Sequence, residues 1–364
     1  MAKQTALKRM RLIGIQTQVK SRTEGETMKE KDYNLELIRF LSFFLVIVIH
    51  VTNYFCRAYG SVSDGEYLFS LVLDTAARVS VPSFFMISGA LLLGRDEPLA
   101  KHGKRFLRFF TALAVWSVVY YVWNICYMKS SYDLRDILYE PVEAHLWYLY
   151  AMIPIYLVLP FFQIMCRHMS MKLERVFLLI TTAAVLFNYI LWMLGWEAYY
   201  DLPLVGDRIY SWYVFVGYYI YKYRHHIRLS QRAAAVICVL SMAASFGITL
   251  GITEVSGEHF EGALTYASPF VAISAVTFFL FVLRIRKSHF HPTENVKKIV
   301  DLFCGCSFGI YLIHILFLDN YKKYVEPQDL SAFIAVPALT IGIALVSLLC
   351  VWGMRKTKIG RKIT

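Results

Sequence analysis

Arg39 and His50 lie eleven residues apart within one apolar run, 35–55, that is long enough to cross a bilayer. Eleven residues make about three helical turns, so both side chains leave one face, about 16 Å apart along the axis. A charged or titratable group in hydrocarbon is costly unless it faces protein interior, water or a ligand. The guanidinium suits an anion, and the imidazole can take a proton or act as a nucleophile. Glu36, Ser42 and Asn53 share the stripe, within about 120° of arc at 100° per residue. For Glu36 and Arg39 a second reading stands, in which both snorkel to the headgroups. His50, two-thirds of the way across, is out of that reach; its alternative is a neutral imidazole hydrogen-bonded to a neighbouring helix.

Other polar groups recur at defined depths. Asp74 and Arg78 stand at i,i+4 on one face of the second run, where mutual neutralisation competes with a functional role. Pro82 predicts a break or kink near Ser80–Ser83, and Ser88 and Gly89 allow close approach of a helix or ligand. The third run opens with Lys104, Arg105 and Arg108, read either as ordinary basic anchoring or as a phosphate site. At the opposite surface lie His145, Trp147 and Tyr148, and, farther along the chain, Tyr311 and His314. His50, Asn53, His145, His314 and Asn188 fall at one depth, which predicts a wet polar cavity open to the outside. The aromatics on their own are also explained as an interfacial belt. His314 and Asp319 reproduce an acyltransferase-like His-x4-Asp spacing, but five helical residues turn about 500° and separate the two faces. No Walker A, dinucleotide, HExxH or nucleophile-elbow pattern is present.

The elements that must position these groups follow from composition. The chain is 57% hydrophobic and 16% aromatic with only 18% charged residues, which excludes an ordinary soluble domain. Apolar runs fall at 35–55, 67–93, 105–127, 145–165, 173–195, 207–222, 232–252, 263–283, 299–318 and 331–352. Each approaches the length that spans hydrocarbon; the sixth is short and tyrosine-rich. Barrel-type alternation is absent, so the expected fold is an all-α polytopic membrane bundle of about ten helices. The net charge of +12 sits mostly in alternate loops and in the basic segments 1–34 and 353–364. That pattern places both termini in the cytoplasm and argues against nucleic-acid binding. The tail 1–34 reads as disordered and lipid-facing, with no cleavable signal peptide. Residues 35–352 read as one membrane domain whose short loops carry no second catalytic unit. Seven cysteines show no zinc spacing, although Cys56 and Cys126 are placed to pair.

These pieces resemble the acyltransferase-3 family of bacterial membrane proteins over residues 32–352. The resemblance rests on Asn34-Leu-Glu-Leu-Ile-Arg39 leading to His50, on Val81-Pro-Ser-Phe-Phe-Met-Ile-Ser-Gly89, on Lys104-Arg-Phe-Leu-Arg108, on His145-Leu-Trp-Tyr-Leu-Tyr150 continuing to Pro160, and on Ser307-Phe-Gly-Ile-Tyr-Leu-Ile-His314. It is to the compact branch without an appended esterase-like domain. The glutamate that O-antigen acetylases carry after the corresponding tryptophan is missing from Trp147-Tyr-Leu-Tyr-Ala-Met-Ile-Pro.

The resemblance implies a multi-pass O-acyltransferase, chiefly an O-acetyltransferase, of the bacterial cytoplasmic membrane. It implies acetyl-CoA or another acyl-CoA as donor, an envelope carbohydrate or glycolipid as acceptor, and no resident cofactor or metal. Similar modules form the membrane half of membrane-bound serine racemases, which leaves a ligand-capture or transport role open, as is a homo-oligomer. On this reading Arg39, Arg105 and Arg108 hold the CoA phosphates and His50 is the base or transient acyl carrier. Arg78 is a candidate to bind the donor and stabilise the oxyanion. Asn53, Asp74, Ser88, His145, Trp147, Tyr148, Tyr311 and His314 make up the acceptor pocket.

Overall fold

Hydrocarbon offers the backbone no hydrogen-bond partners, so apolar runs of this length close their bonds internally as helices. The computed structural model describes residues 32–196, 209–285 and 293–364, and among these residues there is no strand. The chain divides into Met1–Tyr33 and Asn34–Thr364. The basic tail expected at 1–34 lies outside the described residues as far as residue 31.

Twelve α-helices follow among the described residues: α1 Tyr33–Cys56, α2 Asp64–Ala77, α3 Ser80–Leu92, α4 Leu99–Trp123, α5 Trp147–His168, α6 Met171–Met193, α7 Tyr210–Tyr223, α8 Gln231–Ser256, α9 Pro269–Leu283, α10 Glu294–Lys322, α11 Ala332–Met354 and α12 Gly360–Ile363. Nine helical stretches among the described residues are long and apolar enough to cross a membrane, with α2 and α3 together forming one of them. The sixth apolar run differs from expectation. Its α7 has 14 residues, about 21 Å of rise, short of a roughly 30 Å core. Residues 207 and 208 of that run lie outside the described residues.

Local chemistry explains the helix ends. Ser63 caps α2, accepting from the Glu66 amide, while the Glu66 carboxylate returns to the Ser63 amide at 3.2 Å. The same carboxylate accepts from the Ala332 amide at 3.1 Å, tying the start of α2 to the start of α11. The break expected near Pro82 lies at Arg78–Val79. Pro82 is the third residue of α3, where its missing N–H would have had no intrahelical partner. Beyond α11, residues 353–364 include α12, and the Trp116 indole donates to the Ile363 carbonyl at 2.9 Å. Cys56 and Cys126 are both free thiols, the first buried and the second exposed.

Packing follows side-chain size. A Cβ on Gly89 of α3 would sit 1.8 Å from the Val214 carbonyl oxygen of α7, and one on Gly217 would sit 2.2 Å from that of Met86. Glycines thus let two backbones touch, and α7 is buried on nearly every side. Gly217→Val should lower the apparent melting temperature of the detergent-solubilised protein by about 5 °C or more. Gly342→Val, where a Cβ meets open space, is the control and should leave it unchanged. Equal melting of the two variants would refute the close crossing.

Outward faces of α6, α8 and α11 present Leu179, Leu240 and Leu349, all exposed, as lipid requires. Inside, one apolar cluster gathers α3, α5, α7 and α9 with Leu35, Ile38 and Val46 of α1, and another gathers α4, α10 and α11 with Phe43, Ile47 and Val51 of α1. Phe84, Phe109, Tyr148 and Tyr311 pack against both clusters, so they mark the seam between them.

Candidate functional site

A cavity of about 620 Å³ opens along that seam, and all four seam aromatics line it. From α1 it takes Arg39, Val46, Ile49, His50 and Asn53, with Arg57 just past the helix end. These positions follow one helical stripe, and eighteen residues from Arg39 to Arg57 rise about 27 Å. From α10 it takes Phe308, Tyr311, Ile315, Asp319 and Lys322, again at helical spacing. Arg108 and Phe109 of α4, Arg78 at the α2–α3 joint, and His145, Trp147 and Tyr148 around the start of α5 complete the parts expected to matter. One volume therefore borders both the Arg39 guanidinium and the His50 ring.

Three imidazoles meet in the interior. The ring centroids of His50 and His314 are 5.1 Å apart, those of His145 and His314 5.4 Å, and those of His50 and His145 6.4 Å. Among the described residues no group of three His, Cys, Asp or Glu converges to hold a metal ion. His314 is fully buried and is not on the cavity wall; it sits behind His50 instead. Its Nδ1 lies 2.7 Å from the Tyr311 carbonyl oxygen. A carbonyl only accepts, so Nδ1 carries the proton and Nε2 keeps its lone pair. That Nε2 is buried and has no hydrogen-bond partner. The Tyr311 hydroxyl donates to the His145 carbonyl, and the Tyr120 ring packs edge-on against His145 at 4.9 Å. His50 itself is half-buried and faces the cavity.

Charged groups divide into paired and unpaired. Arg78 donates through Nε and Nη2 to one Asp74 oxygen at 2.9 and 2.7 Å, and the other Asp74 oxygen accepts from the Thr52 hydroxyl at 3.2 Å. Asp74 is fully buried and off the wall, while Arg78 reaches it. Neutralisation and cavity lining, weighed as alternatives in the sequence, coexist in this pair. Arg39 holds Glu36 at 2.8 Å and still lines the cavity. Arg108 lines it with its guanidinium 6.0 Å above the Phe308 ring and no carboxylate within 4 Å among the described residues.

Several expected site residues lie elsewhere. Arg105 is off the wall and donates to Glu97 at 2.9 Å. Burial pushes the Glu97 carboxyl up, but Arg105 and Arg95 outweigh that and hold it below the usual carboxylate range. The Ser88 hydroxyl donates to the Phe84 carbonyl at 3.0 Å and does not reach the cavity. Asn188 lines a separate pocket of about 290 Å³ with Tyr189, Trp192 and Thr265. The depth on which it was grouped with His50 says nothing about which way a helix face turns.

Glu143, Glu261, Asp319 and Lys322 also line the cavity and were not expected there. Glu261 accepts from Asn53 Nδ2 at 2.7 Å and from Arg57 Nε at 3.1 Å. Burial raises its carboxyl, yet these two donors bring it below the usual carboxylate range, so it is charged near neutrality. Asp319 and Lys322 had a readable signal, since they follow Tyr311 and Ile315 on one face of α10. Glu143 and Glu261 sit in connections, where no periodicity applies.

Comparison with known proteins adds an independent finding. A family model described as an acyltransferase domain, of the acyltransferase-3 type, matches residues 32–354. An amino-acid racemase of Enterococcus faecalis is 27% identical over 134 residues, a segment covering 35% of this chain and 18% of that protein. The match thus spans less than a fifth of the racemase. No solved structure matches the chain.

Proposed function

The chain belongs to the acyltransferase-3 family, and from that premise we propose that it moves an acyl group, chiefly acetyl, from cytosolic acyl-CoA to a hydroxyl of an envelope carbohydrate or glycolipid. The setting is the bacterial cytoplasmic membrane, with the Arg39 end of the cavity facing the cytosol as the distribution of basic residues favours. The observation that carries the reading is the single cavity bordered by Arg39, Arg108 and His50.

Arg108, with no competing carboxylate, and Arg39 hold the CoA phosphates at the mouth. Arg105, engaged by Glu97, contributes only from outside the wall. The thioester arm then extends about 16 Å along α1 to His50. His50 takes the proton of the acceptor hydroxyl as its oxygen attacks the thioester carbonyl. The carbon–sulfur bond breaks, and the proton passes from His50 to the leaving thiolate. In the two-step variant His50 carries the acyl group briefly. Arg78 has Nη1 left over from its bonds to Asp74, and that nitrogen stabilises the oxyanion.

Arg108→Ala should raise the apparent KM for acetyl-CoA about tenfold and change kcat much less, measured with labelled acetyl-CoA and purified protein in nanodiscs. An unchanged KM would remove Arg108 from the donor site. The likeness to an amino-acid racemase supports a second reading, ligand capture without acyl transfer. Amino-acid binding with no thioester cleavage would favour it.

A further inference from the structure

The two ends of the cavity differ in charge. At one end the charged wall residues are Arg39 and Arg108. At the other they are Arg57, Glu143, Glu261, Asp319 and Lys322. Arg57 and Glu261 neutralise each other at 3.1 Å. The remaining three have no opposite charge within 4 Å among the described residues. Glu143 accepts only from Asn124 Nδ2 at 3.3 Å and the Ala144 amide at 3.2 Å. The Asp319 carboxylate, half-buried, receives no hydrogen bond. The Lys322 ammonium rests 5.4 Å from the centroid of the Tyr54 ring.

Two carboxyl groups share one ammonium here, so acceptor oxygens outnumber the donors that face them. A partly buried carboxyl group with no donor, as at Asp319, or with only two long ones, as at Glu143, is costly, and hydroxyl or ammonium groups of a ligand would supply donors. An anionic ligand would instead bring more acceptors to carboxyl groups already short of donors. His145 gives a second pointer. It lines the cavity two residues after Glu143 and is only 1% exposed; neither ring nitrogen makes a close hydrogen bond, and the Leu312 carbonyl beside it already accepts from the Tyr120 hydroxyl at 2.8 Å. An unsatisfied buried imidazole on a cavity wall calls for a polar occupant.

We propose that the Arg57 end is the acceptor subsite and that it selects a hydroxyl-rich ligand bearing an ammonium, an amino sugar, over an anionic sugar. The assignment rests on the acyl-transfer reading for the word acceptor, but its selectivity does not. Asp319 and Glu143 receive the ammonium and adjacent hydroxyls. Lys322 and His145 hydrogen-bond the remaining oxygens.

The test uses the full chain in nanodiscs without acyl-CoA, titrated with D-glucosamine, D-glucose, D-glucuronate and L-serine, and read by tryptophan fluorescence. Trp147 is on the wall. Glucosamine should bind about tenfold tighter than glucuronate, with glucose between them. Asp319→Asn and Glu143→Gln, confirmed folded by melting, should each shrink that preference about threefold or more. Glucuronate binding as tightly as glucosamine, a preference unchanged in both variants, or no sugar binding would overturn the proposal. Serine binding tighter than glucosamine would overturn the amino-sugar assignment. Selective binding retained in a protein that shows no acyl transfer would sink the transferase reading and leave this one standing.

Discussion

His50→Ala is expected to lower acyl transfer per folded molecule by about 100-fold or more, since it removes the only imidazole of the trio that is open to the cavity without being fully buried. The ring has one neighbour at 5.1 Å and another at 6.4 Å, so its loss creates space rather than a clash. Folding should survive, checked by size-exclusion profile and melting. Donor affinity should also survive, because Arg39 lies about 16 Å along the axis from the lost ring and Arg108 stands on a different helix. A variant that keeps transfer within tenfold of the parent would show that His50 is neither base nor acyl carrier. If label from acetyl-CoA remains covalently attached to the parent and not to His50→Ala, the two-step route is the one used.

Asp74→Ala carries the largest expected cost to stability. It strands the Arg78 guanidinium, which makes two bonds to a single Asp74 oxygen and is only 9% exposed. Breaking one side of such a buried pair costs about 3–5 kcal/mol, and the yield of folded protein should collapse. Replacing both members, Asp74→Leu with Arg78→Met, leaves no orphaned charge, and folding should recover much of the loss. Transfer should not recover, because Arg78 also reaches the cavity wall. Parent-like melting of Asp74→Ala would deny the pair its structural role. Parent-like transfer by the double variant would deny Arg78 its role at the thioester.

Much of this arrangement was legible in the sequence where one number governs it. Hydrocarbon thickness sets the length of an apolar run, so the spans could be read. The 3.6-residue turn sets azimuth within one helix, so Arg39, His50 and Asn53 could be placed on a single stripe. The proline ring sets a local break, which lies at Arg78–Val79. What failed needed the relation between helices. Depth along the chain grouped Asn188 and His314 with His50, but one lines another pocket and the other sits behind His50. The buried α7 resembled a short span because its tyrosines and glycine pack against α3 rather than lipid. Glu143 and Glu261 were invisible for a simpler reason: their partners are set by the packing of connections, which leaves no period in the chain.

The cavity also changes what insulates the membrane at this point. Along the roughly 27 Å of helical rise from Arg39 to Arg57, one polar-lined cavity replaces the packed apolar side chains that elsewhere block sodium and protons. Arg39, Arg78, Arg108 and Arg57 all border that cavity. Three of them are paired with carboxylates, so Arg108 is the guanidinium left to repel mobile cations at the Arg39 end. The side chain we propose for the donor phosphates would thereby also help the bundle to hold an ion gradient.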